Sequence, residues 1–162
     1  MKFPRVVRLD ASDPRVFETA AAPGEPAVTG TFAFAGRDLS ELDNKQQLAF
    51  SNGWLGTESF GRATFVEVGE VDEAEFAQVV ERLARHFVDH YGAPSIAEAL
   101  PVAREEADYA AGLCEHKIHT MLAIEREAAE EGVRERIKLI QPSRAEEHAK
   151  IWELGEDDDE NG

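Results

Sequence analysis

The chain has 162 residues, with 17 Lys and Arg against 33 Asp and Glu and five neutral His, a formal charge of −16. That length suits one domain able to fold without a disulfide or metal, and a hydrophobic share of 43% is too high for a wholly disordered chain. The acidic balance argues against nucleic acid, whose binders rely on Lys and Arg to neutralise phosphates, and against an anionic membrane surface.

Residues 1–9 alternate and predict a strand, with Val7 and Leu9 on one face and Val6 and Arg8 on the other. Residues 12–26, with Pro14, Pro23, Gly24 and Pro26, read as irregular connection. Residues 29–35 alternate again, placing Phe32 and Phe34 on one side of a second strand. A short helix follows, capped by Asp38 or Ser40 and closed by Gly53 as a left-handed terminator. Residues 62–68 return to a period of two.

Asp72 and Glu75 then have capping-box spacing, ahead of Phe76, Val79, Val80, Leu83, Phe87 and Val88 at helical spacing up to Tyr91-Gly92. Ser95 and Glu98 repeat the cap, but Pro101 predicts a break and a second helix starting near it. Residues 117–126 and 133–141 are expected to form a closing hairpin through a six-residue connection, with a bulge adjusting register. A short helix is expected over residues 144–154, docking through Ile151 and Trp152. Residues 155–162 read as an acidic disordered tail. The order gives an α+β fold of one domain over residues 1–154: a mainly antiparallel sheet of about five strands, covered on one face by two to three helices.

Chemistry has few places to sit. Cys114, His116 and His119 supply a thiol and two imidazoles, three ligands of the kind a tetrahedral zinc takes, and a metal-bound water there would support hydrolysis. Against this, a strand projects His116 and His119 to opposite faces, and a buried helix-end cysteine beside two unrelated histidines explains the residues better. His86 and His90 lie one helical turn apart, but Phe87 stands where a zinc protease carries glutamate. Trp54, Leu55 and Phe60 sit between glycines, either as an exposed anchor for a partner or as core plugging the end of the sheet; the burial of Trp54 separates the two.

Nucleophile elbows and nucleotide-binding glycine motifs are absent from the sequence. No stretch approaches the roughly 20 apolar residues of a spanning helix. Residues 1–10 do not read as a secretory signal, and one cysteine allows no internal disulfide, so a reducing cytoplasm is the expected compartment.

The runs Arg8-Leu9-Asp10-Ala11-Ser12-Asp13, Ala49-Phe50-Ser51-Asn52-Gly53-Trp54-Leu55-Gly56, Ser59-Phe60-Gly61, Leu113-Cys114-Glu115-His116 and Arg134-Glu135-Arg136 together resemble an uncharacterised bacterial family carried as a domain of unknown function. The resemblance spans residues 1–142 and implies a small soluble bacterial accessory protein with no assigned activity. The expectation is therefore a non-enzymatic protein that binds another protein, or itself as a homodimer, through the Trp54 loop and the hairpin edge. The competing expectation is a metal or small-molecule site at Cys114, His116 and His119, with zinc as the cofactor.

Overall fold

A computed structural model describes residues 1–8 and 16–140. Among these described residues seven strands form two antiparallel sheets. The first contains β1 (Lys2–Val7), β5 (Phe65–Glu70), β6 (Met121–Ala129) and β7 (Gly132–Ile140), in the order β1-β5-β6-β7. The second contains β2 (Ala27–Val28), β3 (Trp54–Gly56) and β4 (Arg62–Ala63), in that order. The α-helices among the described residues are α1 (Asn44–Asn52), α2 (Glu73–His90) and α3 (Ile96–Gly112). The α+β expectation holds, but the strands divide between two sheets rather than forming one of about five; β2, β3 and β4, of two to three residues each, are too short for alternation to reveal them.

The longest helix follows its sequence signals. The Asp72 carboxylate accepts from the Glu75 N–H at 2.8 Å, and Phe76, Val79, Val80, Leu83 and Phe87 are buried. Pro101 does not break α3, contrary to expectation; the helix runs through it from the Ser95 cap to Gly112. Proline inside a helix costs about 3 kcal/mol, and here a stripe of small residues, Ala99, Ala103, Ala107 and Ala110, lies buried in the cluster that also contains Val79 and Leu83 of α2. Burial along the whole helix outweighs one lost hydrogen bond.

The second expected strand is instead a single 3-10 turn, Thr31–Phe34. Gly30 turns the chain at φ 76°, and a Cβ there would sit 2.5 Å from the Leu55 Cβ. Phe32 and Phe34 consequently part: Phe32 packs against the helix pair, while Phe34 joins Leu42 and Phe50. Asp38 caps only a 3-10 turn, Leu39–Glu41. The helix after it starts later, where Asp43 and Gln46 form a reciprocal capping box, and Gly53 ends it in extended backbone at φ −97°.

The hairpin needs no bulge. Its pairing is uniform from Met121↔Ile140 to Ala129↔Gly132, leaving Glu130 and Glu131 as the turn. The register differs from the expected one because β6 continues past Arg126 to Ala129, so the connection is two residues rather than six; residues 117–120 are a turn, with His119 at φ 74°, rather than strand. Val6, Val66, Val68, Leu122 and Ile124 of the first sheet pack with Ala27, Trp54 and Ala63 of the second. The helix expected over residues 144–154 and the acidic tail lie outside the described residues.

Candidate functional site

Two arginines occupy the middle of the molecule. Arg62 sits on β4 and Arg126 on β6, both buried. Strand alternation puts Arg126 on the same face as Leu122 and Ile124, so its side chain enters the interior. There α1 ends, and the last carbonyls of a helix have no partner within it. Arg126 fills that role: its Nη1 donates to Phe50 O at 2.7 Å and Ala49 O at 3.3 Å, and its Nη2 to Gly53 O at 3.1 Å and to Thr29 O. Arg62 donates to Gly53 O at 3.0 Å, Gly30 O at 3.2 Å and Thr29 O at 3.5 Å. The Phe34 ring lies 5.0 Å from the Arg62 guanidinium carbon and 5.9 Å from that of Arg126, a cation–π arrangement with both.

Desolvation by burial, then the neighbouring Arg126, lowers the Arg62 pKa to about 9. Burial likewise lowers Arg126 to about 10, against the opposing pull of Glu135. Both stay charged at neutral pH. On the Arg126 side the counter-charge is Glu135, whose Oε1 is 3.5 Å from Arg126 Nε. The Thr31 hydroxyl accepts from Arg126 Nε at 2.7 Å and donates to Glu135, while the Tyr109 hydroxyl donates to Glu135 Oε2 at 3.1 Å. Burial, and after it Glu135, raises the pKa of both Glu106 and Tyr109. A hollow of about 500 Å3 opens beside this network, lined by Asn52, Arg126, Glu127, Arg134, Glu135 and Arg136 among others. The network's donors and acceptors are engaged with one another and with backbone, an arrangement that holds the hairpin, α1 and the 3-10 turn together.

On the Arg62 side is a cleft of about 210 Å3, bounded by Phe34, Arg37, Lys45, Phe60, Arg62 and Tyr91 with Glu18 at its rim. Phe60 has left-handed backbone, φ 56°. Its loop is gripped by the Glu25 carboxylate, which accepts from the N–H groups of Ala22, Glu58 and Ser59 and from the Ser59 hydroxyl. The Phe60 ring stacks on His86 at 3.9 Å and 4°. Burial, then His90 at 4.9 Å between ring centroids, lowers the His86 pKa.

The residues singled out from sequence are placed otherwise. Cys114 is buried in the core with Trp54 and Leu122, and burial raises its thiol pKa to about 12. His116 is exposed, and its carbonyl accepts from Lys2 Nζ. His119 is exposed on its turn, with Nδ1 3.0 Å from Glu67 Oε1. The structure does not bring the three together, and no group of three or more His, Cys, Asp or Glu side chains suited to a metal occurs among the described residues. Trp54 and Leu55 are core side chains rather than an exposed anchor; Phe60 alone of that trio reaches a cleft.

Sequence reasoning missed Arg62, Arg126 and Glu135. Their signal was present: Arg126 continues the alternating face of Leu122 and Ile124, a charge in a buried position, which demands a partner. Ending the expected strand at Arg126, where the structure continues it to Ala129, hid it.

The chain matches the Family of unknown function (DUF6505) over residues 1–154, further than the resemblance expected, and belongs to that family. No curated protein and no solved structure matches it. No helix among the described residues is long and apolar enough to cross a membrane.

Proposed function

For this member of a family of unknown function, we propose a non-enzymatic accessory role in which a protein strand adds to the outer edge of β7, the partner being a second copy of the chain. The observation that carries it is the edge itself: nine residues, Gly132–Ile140, paired with β6 on one side and with no strand on the other among the described residues. Such an edge presents unpaired N–H and C=O groups and is a template for strand addition.

The parity of the ladder names those groups. Residues flanking a two-residue turn form a hydrogen-bonded pair, so Ala129 and Gly132 do, and alternation leaves Val133, Glu135, Ile137 and Leu139 with their backbone groups outward. Val133 and Leu139 are also among the exposed large apolar side chains, at 37% and 39%. Antiparallel self-pairing centred on Arg136 sets Val133 against Leu139, apolar against apolar. The charges nearby are already paired: Arg136 and Lys138 with Glu125, and Arg134 with Glu127. A two-fold axis there makes one self-complementary interface. The buried Cys114 thiol and the engaged arginine network support binding over bond-making.

Sedimentation velocity over a wide concentration range tests the reading, together with amide exchange at Val133, Ile137 and Leu139. A dimer whose formation slows exchange at those amides, and which Val133→Pro with Leu139→Pro dissociates, is the expected result. Proline at outward-facing positions removes no hairpin hydrogen bond. A monomer throughout, or a dimer indifferent to the prolines, overturns it.

A further inference from the structure

We infer that the cleft between the 3-10 turn, α1 and Tyr91 binds a small aromatic carboxylate, with Arg37, Lys45 and Arg62 holding the carboxylate and Phe34, Phe60 and Tyr91 holding the ring. The cleft is independent of the β7 edge, and the two readings stand or fall separately.

Charge is the first reason. The residues lining the cleft include three bases and one acid, Glu18, in a chain whose acids outnumber its bases 33 to 17. None of the three bases forms an ion pair among the described residues, whereas Arg126, beside Arg62, has Glu135. Arg62 is nine-tenths buried and satisfied only by carbonyl oxygens. A buried charge without a counter-ion is costly, and the repulsion between Arg62 and Arg126 adds to that cost. An anion entering the cleft supplies the missing charge. A carboxylate is planar and fits the guanidinium fork.

The second reason is the wall. A bulky side chain at φ 56° is an outlier, and strain of this kind concentrates where a side chain must be held in place. Here the Glu25 carboxylate fixes the loop from within and the parallel stack on His86 fixes the ring. A rigid aromatic face beside basic groups suits a ligand with a flat apolar body and a charged end. The volume, about 210 Å3, lies below the roughly 300–1,000 Å3 of sites for drug-sized molecules, so the ligand is a single-ring compound.

The test titrates the full chain with benzoate, inorganic phosphate and benzyl alcohol in turn, following the ring resonances of His86 and Tyr91. The expected result is a saturable shift with benzoate, at an affinity about tenfold tighter than for either other probe. The Arg37→Ala, Lys45→Ala double variant, altered only at cleft-rim positions and checked by an unchanged thermal midpoint, weakens benzoate about fivefold. No saturable shift, phosphate or benzyl alcohol binding as tightly as benzoate, or full affinity in the double variant overturns the inference.

Discussion

Arg126 and Glu135 stand directly opposite each other across the β6–β7 hairpin, with Nε and Oε1 3.5 Å apart and the arginine side chain wholly shielded from water. Removing the carboxylate leaves a buried guanidinium without its counter-charge. Glu135→Ala is therefore expected to lose about 3 kcal/mol of stability in urea denaturation. Val133→Ala, two positions along the same face, is expected to lose less than about 1 kcal/mol.

Glu25 gives a pH signature. Burial pushes its pKa up, but the hydrogen bonds from Ser59, Ala22 and Glu58 together hold it below its usual 4.5. A carboxyl depressed in the folded state contributes stability above its unfolded pKa, and that contribution is lost as pH falls through the folded value. Glu25→Gln is expected to destabilise the protein by about 2 kcal/mol at neutral pH. The gap between variant and parent narrows as denaturation midpoints are taken from about pH 5 downward through that usual value.

Trp54 is fully buried, yet its indole N–H has no hydrogen-bond partner among the described residues. The ring therefore contributes volume and apolar area, and nothing through its polar atom. Trp54→Ala is expected to cost about 3 to 5 kcal/mol, whereas Trp54→Phe keeps most of the packing, sheds an unsatisfied donor and costs under about 1.5 kcal/mol. Guanidinium unfolding of the two variants side by side checks the difference.

The Cys114 thiol should be inert in the folded protein. Burial raises its pKa to about 12, with Lys2 opposing weakly, so almost no thiolate exists at pH 8. Alkylation by iodoacetamide, followed by intact mass, is expected to be on the order of 1,000-fold slower in buffer than in denaturant. The neutral thiol favours the fold fully below its unfolded pKa of about 8.5, and that advantage declines as pH rises toward the folded value.

Pro101 is exposed on an unbroken helix. Pro101→Ala restores an N–H to the α3 ladder, and the midpoint in urea is expected to rise by an amount worth about 1 to 3 kcal/mol. The looser unfolded chain offsets part of the gain.

Local signals carried much of the fold. The Asp72 cap and the apolar spacing from Phe76 to Phe87 define α2 by themselves, since each residue's role depends on neighbours within four positions. The hairpin is visible in the sequence, but not its register, because nothing local says that pairing continues through Glu127 and Ala128 to a two-residue turn at Glu130 and Glu131. Alternation over residues 29–35 points to a strand; Gly30 and the Leu55 side chain packed against it decide otherwise.

Sequence alone thus determined the class of fold, the net negative charge and the main helix, which depend on composition or on short-range pattern, and carried a resemblance that the family match over residues 1–154 bears out. Tertiary structure alone decided that Cys114, His116 and His119 point to different surroundings, that Trp54 is core, and that Arg62 and Arg126 share carbonyls at the end of α1. Those relationships join residues as far apart as Thr29 and Arg126, and burial of a charge becomes visible only when distant segments close around it.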